Sequence, residues 1–118
     1  MQFKEKQAIY MQIADYVCDN ILTGKWPLEE KILSVRDLGV KLEVNPNTVM
    51  RSYEYLQQQN IIFNKRGIGF FVAADAINII LQIRKKRFFE TELSDFFKTL
   101  KLLNIDMQEI VEYYKNHV

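Results

Sequence analysis

Glycine and proline are scarce, at four and two residues in 118, so few positions force a turn and helix should dominate. Cysteine is scarcer. Cys18 stands alone, which excludes an intramolecular disulfide framework, fits a reducing compartment and marks the residue as a small core hydrophobe. One histidine, His117, far from that cysteine, leaves too few soft ligands for a zinc site. Nucleophile–base pairs, phosphate loops and metal-ligand spacings are missing, so neither catalysis nor a cofactor is expected. No apolar run approaches the roughly 20 residues of a membrane span, and no apolar signal stretch follows Met1. A soluble, cytoplasmic protein is expected.

An excess of charge of one sign is also lacking. The net charge is +1, with nine Lys/Arg against eight Asp/Glu in residues 1–73 and seven against seven in 74–118. Any surface for nucleic acid must therefore come from where charges stand and not from their excess. What the chain does have is 48% hydrophobic and 13% aromatic residues, the make-up of a packed domain and not of a disordered one.

Ile9, Ile13, Val17 and Ile21 recur every four residues, with Tyr10, Ala14, Cys18 and Leu22 widening the stripe, which predicts a helix over 7–23. Gly24 and Trp26-Pro27 stop it. A connection from Lys25 to Leu33 follows, with a brief extended piece expected at 31–33. Ser34 reads as an N-cap, and Val35, Leu38 and Leu42 face one side of a short helix ending near Glu43. Asn45-Pro46 opens a third helix, the asparagine capping and the proline at the first helical position, and Val49, Tyr53 and Leu56 carry it to about Gln59. Residues 61–64 and 70–73 read as two strands joined by Lys65-Arg66-Gly67-Ile68-Gly69. Beyond them the pattern is helical again, over 76–89, then along Leu93, Phe96, Phe97, Leu100 and Leu103, then from the Asp106 cap along Met107, Ile110, Val111 and Tyr114.

Helix, short helix, tight turn, helix and glycine-tipped hairpin is the order of a winged helix-turn-helix. The expected fold is mainly α with a small β-hairpin, residues 1–74 forming the winged domain and 75–118 a helical segment. A tight turn over 43–46 sets the third helix across the second, so that its positive N-terminal end projects outward. Asn45, Asn47, Thr48 and Arg51 stand on that end, short amides and hydroxyls with one guanidinium, the groups that pair with base edges or phosphate oxygens. Lys65, Arg66 and Gly67 at the hairpin tip suit a minor groove, and Arg36 a phosphate. Each has a plainer reading: Asn45 as a cap alone, Arg51 as a solvated surface residue, the tip as a turn that happens to be basic, Arg36 as half of an ion pair with Asp37 or Glu43. Their joint occurrence favours sequence-specific binding of double-stranded DNA by a transcriptional regulator. The alternative is a winged helix that binds protein instead.

The last 45 residues are too few to enclose a large core, yet they hold about a dozen large apolar side chains. Burying each stabilises by roughly 1.5–3 kcal/mol, so a second copy of the chain is the expected cover. Ile80, Phe88, Phe96, Phe97, Leu100, Ile110 and Tyr114 are the expected dimerisation residues, and a twofold dimer would suit a palindromic operator. A small-molecule pocket within the segment is not expected; an effector at the dimer interface stays open. Arg84-Lys85-Lys86-Arg87 reads as a solvated face or as added phosphate contacts.

Ile9-Tyr10-Met11-Gln12-Ile13-Ala14, Ser34-Val35-Arg36-Asp37-Leu38, Asn45-Pro46-Asn47-Thr48-Val49 and Lys65-Arg66-Gly67-Ile68-Gly69-Phe70-Phe71-Val72, in this order and spacing, resemble the GntR family of bacterial regulators. Asn45 to Val49 followed by Arg51-Ser52-Tyr53 is similar to the YtrA-like subgroup, as is the short tail. The resemblance implies that Ser34, Arg36, Asn45, Asn47, Thr48, Arg51 and Lys65-Arg66-Gly67 touch DNA. It also implies a repressor, often set beside genes for an ABC transporter. Four features depart from the family pattern. Leu33 stands for the usual proline, Glu29-Glu30 for a proline-glycine turn, Glu43 for the turn glycine, and Pro46 and Met50 for base-contacting arginines.

Overall fold

The computed structural model describes residues 7–118. These form two compact units, one reaching to Leu81 and one spanning Gln82–Val118.

The first unit contains helices α1 (Ile9–Leu22), α2 (Val35–Leu42) and α3 (Pro46–Gln58), then strands β1 (Ile62–Lys65) and β2 (Gly69–Val72), then the start of α4 (Ala76–Arg87). The apolar stripes converge as their periods require. Ile13, Val17 and Ile21 of α1, Leu38 of α2 and Val49, Tyr53 and Leu56 of α3 are all essentially inaccessible to solvent. Cys18 is buried among the core residues as well. Two cross-links tie the elements. Ser52, itself fully buried, donates its hydroxyl to the carbonyl of Tyr10 at 2.6 Å, and the Tyr53 hydroxyl donates to the carbonyl of Leu33 at 2.7 Å. Burial, and secondarily the charge of Tyr16, push the Tyr53 phenol above its ordinary range.

Helix α3 ends on Asn60, whose φ of 64° turns the chain so that the Ile61 amide returns to the Leu56 carbonyl at 2.9 Å. The hairpin is antiparallel, with Ile62 opposite Val72 and Lys65 opposite Gly69. Both strands thus lie one residue from their expected limits. The turn is confined to 66–68, closed by the Ile68 amide on the Lys65 carbonyl, and Lys65 is left free to pair. The extended piece expected at 31–33 provides a single bridge to β2, at Lys31 opposite Phe71, with the residues just before it bonding to the same strand. The amides of Glu29 and Ile32 donate to the carbonyls of Val72 and Phe70, and the Val72 amide donates to Glu30. Strand β2 therefore lies between two partners, and the inner wing residue Phe70 meets Tyr53 edge-on at 5.0 Å.

The boundary between the units falls inside α4, later than the expected 74/75. Ala76 and Ile80, both buried, keep the first turns of that helix with the first unit. In the second unit α4 runs without a break through a π-helical turn (Phe88–Glu92) into α5 (Leu93–Leu103). The Thr91 hydroxyl supports this turn by donating to the Arg87 carbonyl. A separate helix ending near 89 was the expectation; with no glycine or proline between 76 and 103, nothing interrupts the backbone. Asn104, at φ 55°, ends α5, and Asp106 caps α6 (Met107–His117). Phe88, Phe89, Phe96, Phe97, Leu103 and Tyr114 of this unit are all exposed. Among the described residues, no helix is long and apolar enough to cross a membrane.

Candidate nucleic-acid interface

The turn between α2 and α3 is built on a close approach. A β-carbon added at Gly39 would stand 3.0 Å from the Val44 carbonyl oxygen and 3.5 Å from Pro46 Cγ, so the missing side chain lets the turn fold back on α2. Glu43 makes the reversal at φ 56° and ψ 45°, its amide on the Gly39 and Val40 carbonyls, and the Val44 amide follows onto Gly39 at 3.0 Å. The backbone thus keeps the left-handed geometry of a turn glycine although glutamate occupies the place. Glu29 also takes a left-handed conformation, at φ 64°.

Asn45 caps α3 through its side-chain oxygen, which accepts from the Asn47 amide at 2.8 Å. Pro46 at the first helical position has no amide hydrogen to satisfy. The cap occupies the oxygen alone, so the side-chain amide nitrogen keeps both donors for an outside acceptor. Capping and DNA contact are therefore compatible roles. Asn45, Asn47 and Arg51 are exposed, and Thr48 is half-buried. Thr48, Asn47 and Arg51 border an open concavity of about 320 Å³ whose other wall is Ala8, Ile9 and Tyr10. Ser34 caps α2 by accepting from the Asp37 amide at 3.0 Å, which leaves its hydroxyl proton to donate outward. Arg36 follows, exposed, on the first turn of that helix.

On the wing, Arg66 and Gly67 are exposed at the tip, and Gly67 adopts φ 79°. Lys65 does not project freely. Its ammonium lies 4.4 Å from the centre of the Phe71 ring, and Phe71 in turn stacks on Phe63 at 5.7 Å. Two further residues escaped the sequence reading. Lys31 lies across Gly69, where an added β-carbon would fall 2.8 Å from Lys31 Cε, so a second lysine joins Lys65 on the wing. Tyr10, assigned only to the α1 stripe, carries the Arg51 guanidinium 3.9 Å above its ring. No local spacing announces either contact, because each joins residues about 40 positions apart in the chain.

The expected dimerisation residues divide. Phe88, Phe96, Phe97 and Tyr114 are exposed and Ile110 is half-buried, whereas Ile80 and Leu100 are 1% and 8% exposed. Those two have their places inside the chain and offer little surface to a partner. In the basic run, Lys85 and Lys86 are exposed and Arg84 and Arg87 half-buried.

Comparison with known proteins follows the same lines. The pattern described as "Bacterial regulatory proteins, gntR family" matches residues 9–72. The chain is 32% identical over 114 residues to the HTH-type transcriptional regulator YhcF of Bacillus subtilis, covering 97% of this chain and 93% of that one. It is 26% identical to the HTH-type transcriptional repressor YtrA of the same organism, covering 91% and 82%. A crystal structure of a GntR-family transcriptional regulator from Bacteroides thetaiotaomicron superposes with a TM-score of 0.82 at 51% identity, covering 92% of this chain and 95% of that one.

Proposed function

Because the chain belongs to the gntR family of bacterial regulatory proteins, and is therefore a DNA-binding transcriptional regulator and not an enzyme, we propose that it acts as a homodimeric repressor on a palindromic operator. One observation carries the reading. The capped N-terminal end of α3 stands exposed, with Asn45, Asn47, Thr48 and Arg51 clustered on it and carrying donors for a groove. Ser34 and Arg36 serve phosphates beside it, and Lys65, Arg66 and Gly67 carry the wing into the neighbouring groove. Repression follows from occupancy of a promoter, and it is the activity named for the relative YtrA.

Dimerisation is assigned to the helical segment after the winged domain. Its aromatic side chains Phe88, Phe96, Phe97 and Tyr114 are exposed, an apolar surface that a second copy of the chain would cover. A twofold pairing there would set two copies of α3 about one DNA turn, roughly 34 Å, apart.

The test is a titration of fluorescently labelled duplex from the promoter of the chain's own gene at 50 and 200 mM salt, beside sedimentation equilibrium of the free protein. Binding should weaken steeply with salt, as released counterions require, and the protein should sediment as a dimer. A monomeric protein on a site without twofold symmetry would refute the proposal. Arg51→Ala should relax preference at one base pair of each half-site; uniform weakening on every sequence would make Arg51 a phosphate contact.

A further inference from the structure

Arg51 is the one arginine on the projecting end of α3, and its environment is unusual for an exposed cation. Its guanidinium rests 3.9 Å above the centre of the Tyr10 ring. The next residue, Ser52, is fully buried and donates to the carbonyl of that same Tyr10 at 2.6 Å, and also to the Thr48 carbonyl at 3.2 Å. Two consecutive residues of α3 therefore grip one residue of α1, one by its backbone and one by its ring. The backbone bond fixes where the ring stands, and the ring fixes where the guanidinium stands.

This mode of support has a chemical consequence. A carboxylate partner would occupy the in-plane N–H groups of the arginine. An aromatic face attracts the cation through its π-system and leaves all five N–H donors in the guanidinium plane uncommitted. Among the described residues, the wall around the pair holds Ala8, Ile9, Asn47 and Thr48 and no carboxylate. A guanidinium held over the ring at this distance, with Asn47 and Thr48 alongside, is placed to reach the paired acceptors O6 and N7 of a guanine in the major groove.

We infer that Tyr10 is a positioning residue for Arg51, and that the Tyr10–Arg51 pair is the specificity-determining unit of the interface, selecting a guanine in each half-site. The inference rests on the operator-binding reading given above. Tyr10 itself touches no base; it acts by removing the freedom that Arg51 would otherwise lose on binding.

The experiment uses the full chain and a duplex enriched by the wild-type protein from a random DNA pool. Tyr10→Leu should weaken binding to that duplex about two- to thirtyfold, the span of cation–π contacts from exposed to desolvated. Selection repeated with this variant should lose its guanine preference at one position per half-site. Tyr10→Phe should retain both properties, and in an Arg51→Ala background the Tyr10→Leu step should have no further effect. Tyr10→Met, closer in bulk, serves the same comparison should Tyr10→Leu fail to fold. A Tyr10→Leu protein that binds as tightly as wild type or tighter, or that loses the same factor without Arg51, overturns the inference, as does equal weakening on unselected DNA. Enrichment of no sequence by the wild-type protein refutes the operator-binding reading itself, and this inference with it.

Discussion

Glu43 holds a backbone conformation that its side chain opposes, and replacing it with glycine should make the protein more stable. At φ 56° and ψ 45° the residue lies in the left-handed region, where an L-residue costs about 1–2 kcal/mol because its β-carbon crowds the following carbonyl. Glycine escapes that cost but enlarges the unfolded ensemble, an opposing effect of about 0.4–1 kcal/mol. The Glu43 side chain is exposed, so its removal opens no cavity. It also stands at the negative end of α2, where a carboxylate is disfavoured, so loss of charge adds a small gain that salt screens. The balance is a stabilisation of roughly 0.5–1 kcal/mol. With the urea sensitivity usual for small proteins, the unfolding midpoint should rise by about 0.3–0.6 M at fixed protein concentration. Glu43→Gln separates the two causes, since it removes the charge and keeps the strained backbone. If Glu43→Gly proved no more stable than Glu43→Gln, the left-handed geometry would not be the source of the cost and the reasoning would fail. Glu29→Gly, at φ 64°, repeats the test in the connection between α1 and α2.

Other consequences can be checked in the same way. Tyr53→Phe should cost about 1–3 kcal/mol in urea unfolding, because the buried hydroxyl leaves the Leu33 carbonyl unpaired. The pH dependence has a definite sign. The unfolded chain releases this phenolic proton near pH 10.0 while the folded protein retains it, so the contribution is whole below that pH and is lost as pH rises beyond it. Tyr53→Phe should therefore flatten the alkaline fall in stability; an unchanged slope would show that another group titrates. In the wing, Gly69→Ala should cost more than Gly67→Ala. Gly69 adopts φ 140°, a conformation open almost only to glycine, whereas Gly67, at φ 79°, lies closer to the left-handed region that other residues occasionally enter, and the Lys31 side-chain end 2.8 Å from the new β-carbon at Gly69 can swing aside. Amide exchange at Phe71 and Val72 would report the difference, and equal effects would show that the backbone conformation at Gly69 is not the source of the cost.

The helix-turn-helix was legible because local chemistry dictates it. Ser34 and Asn45 cap the helices they were expected to cap, and Pro46 stands at the first helical position, since each acts within three residues of itself. Strand limits slipped by one because pairing between Lys65 and Gly69 decides them, and neither residue has strong strand propensity. The tail was harder. Its apolar stripe shifts phase near Phe88, which suggests two helices; the backbone absorbs the shift in a π-helical turn and continues. Ile80 belongs to the same stripe as the exposed aromatics, and periodicity alone does not distinguish a position buried inside the chain from one that faces out. At the candidate site, the projecting polar cluster could be read from its order. The support beneath it could not, because Tyr10 and Arg51 meet only through tertiary packing.

The backbone bonds from 29–32 to β2 give the wing two attachments where a simple hairpin has one. Two residues after Ile32 comes Ser34, the cap of α2. The interval between the wing tip and that cap is thus set by a ladder of amide bonds and does not swing with a loose loop. On the operator-binding reading, such a gauge makes groove width itself a quantity the protein discriminates. Sequences that widen or narrow the groove under the wing would then be penalised at base pairs that no side chain reaches.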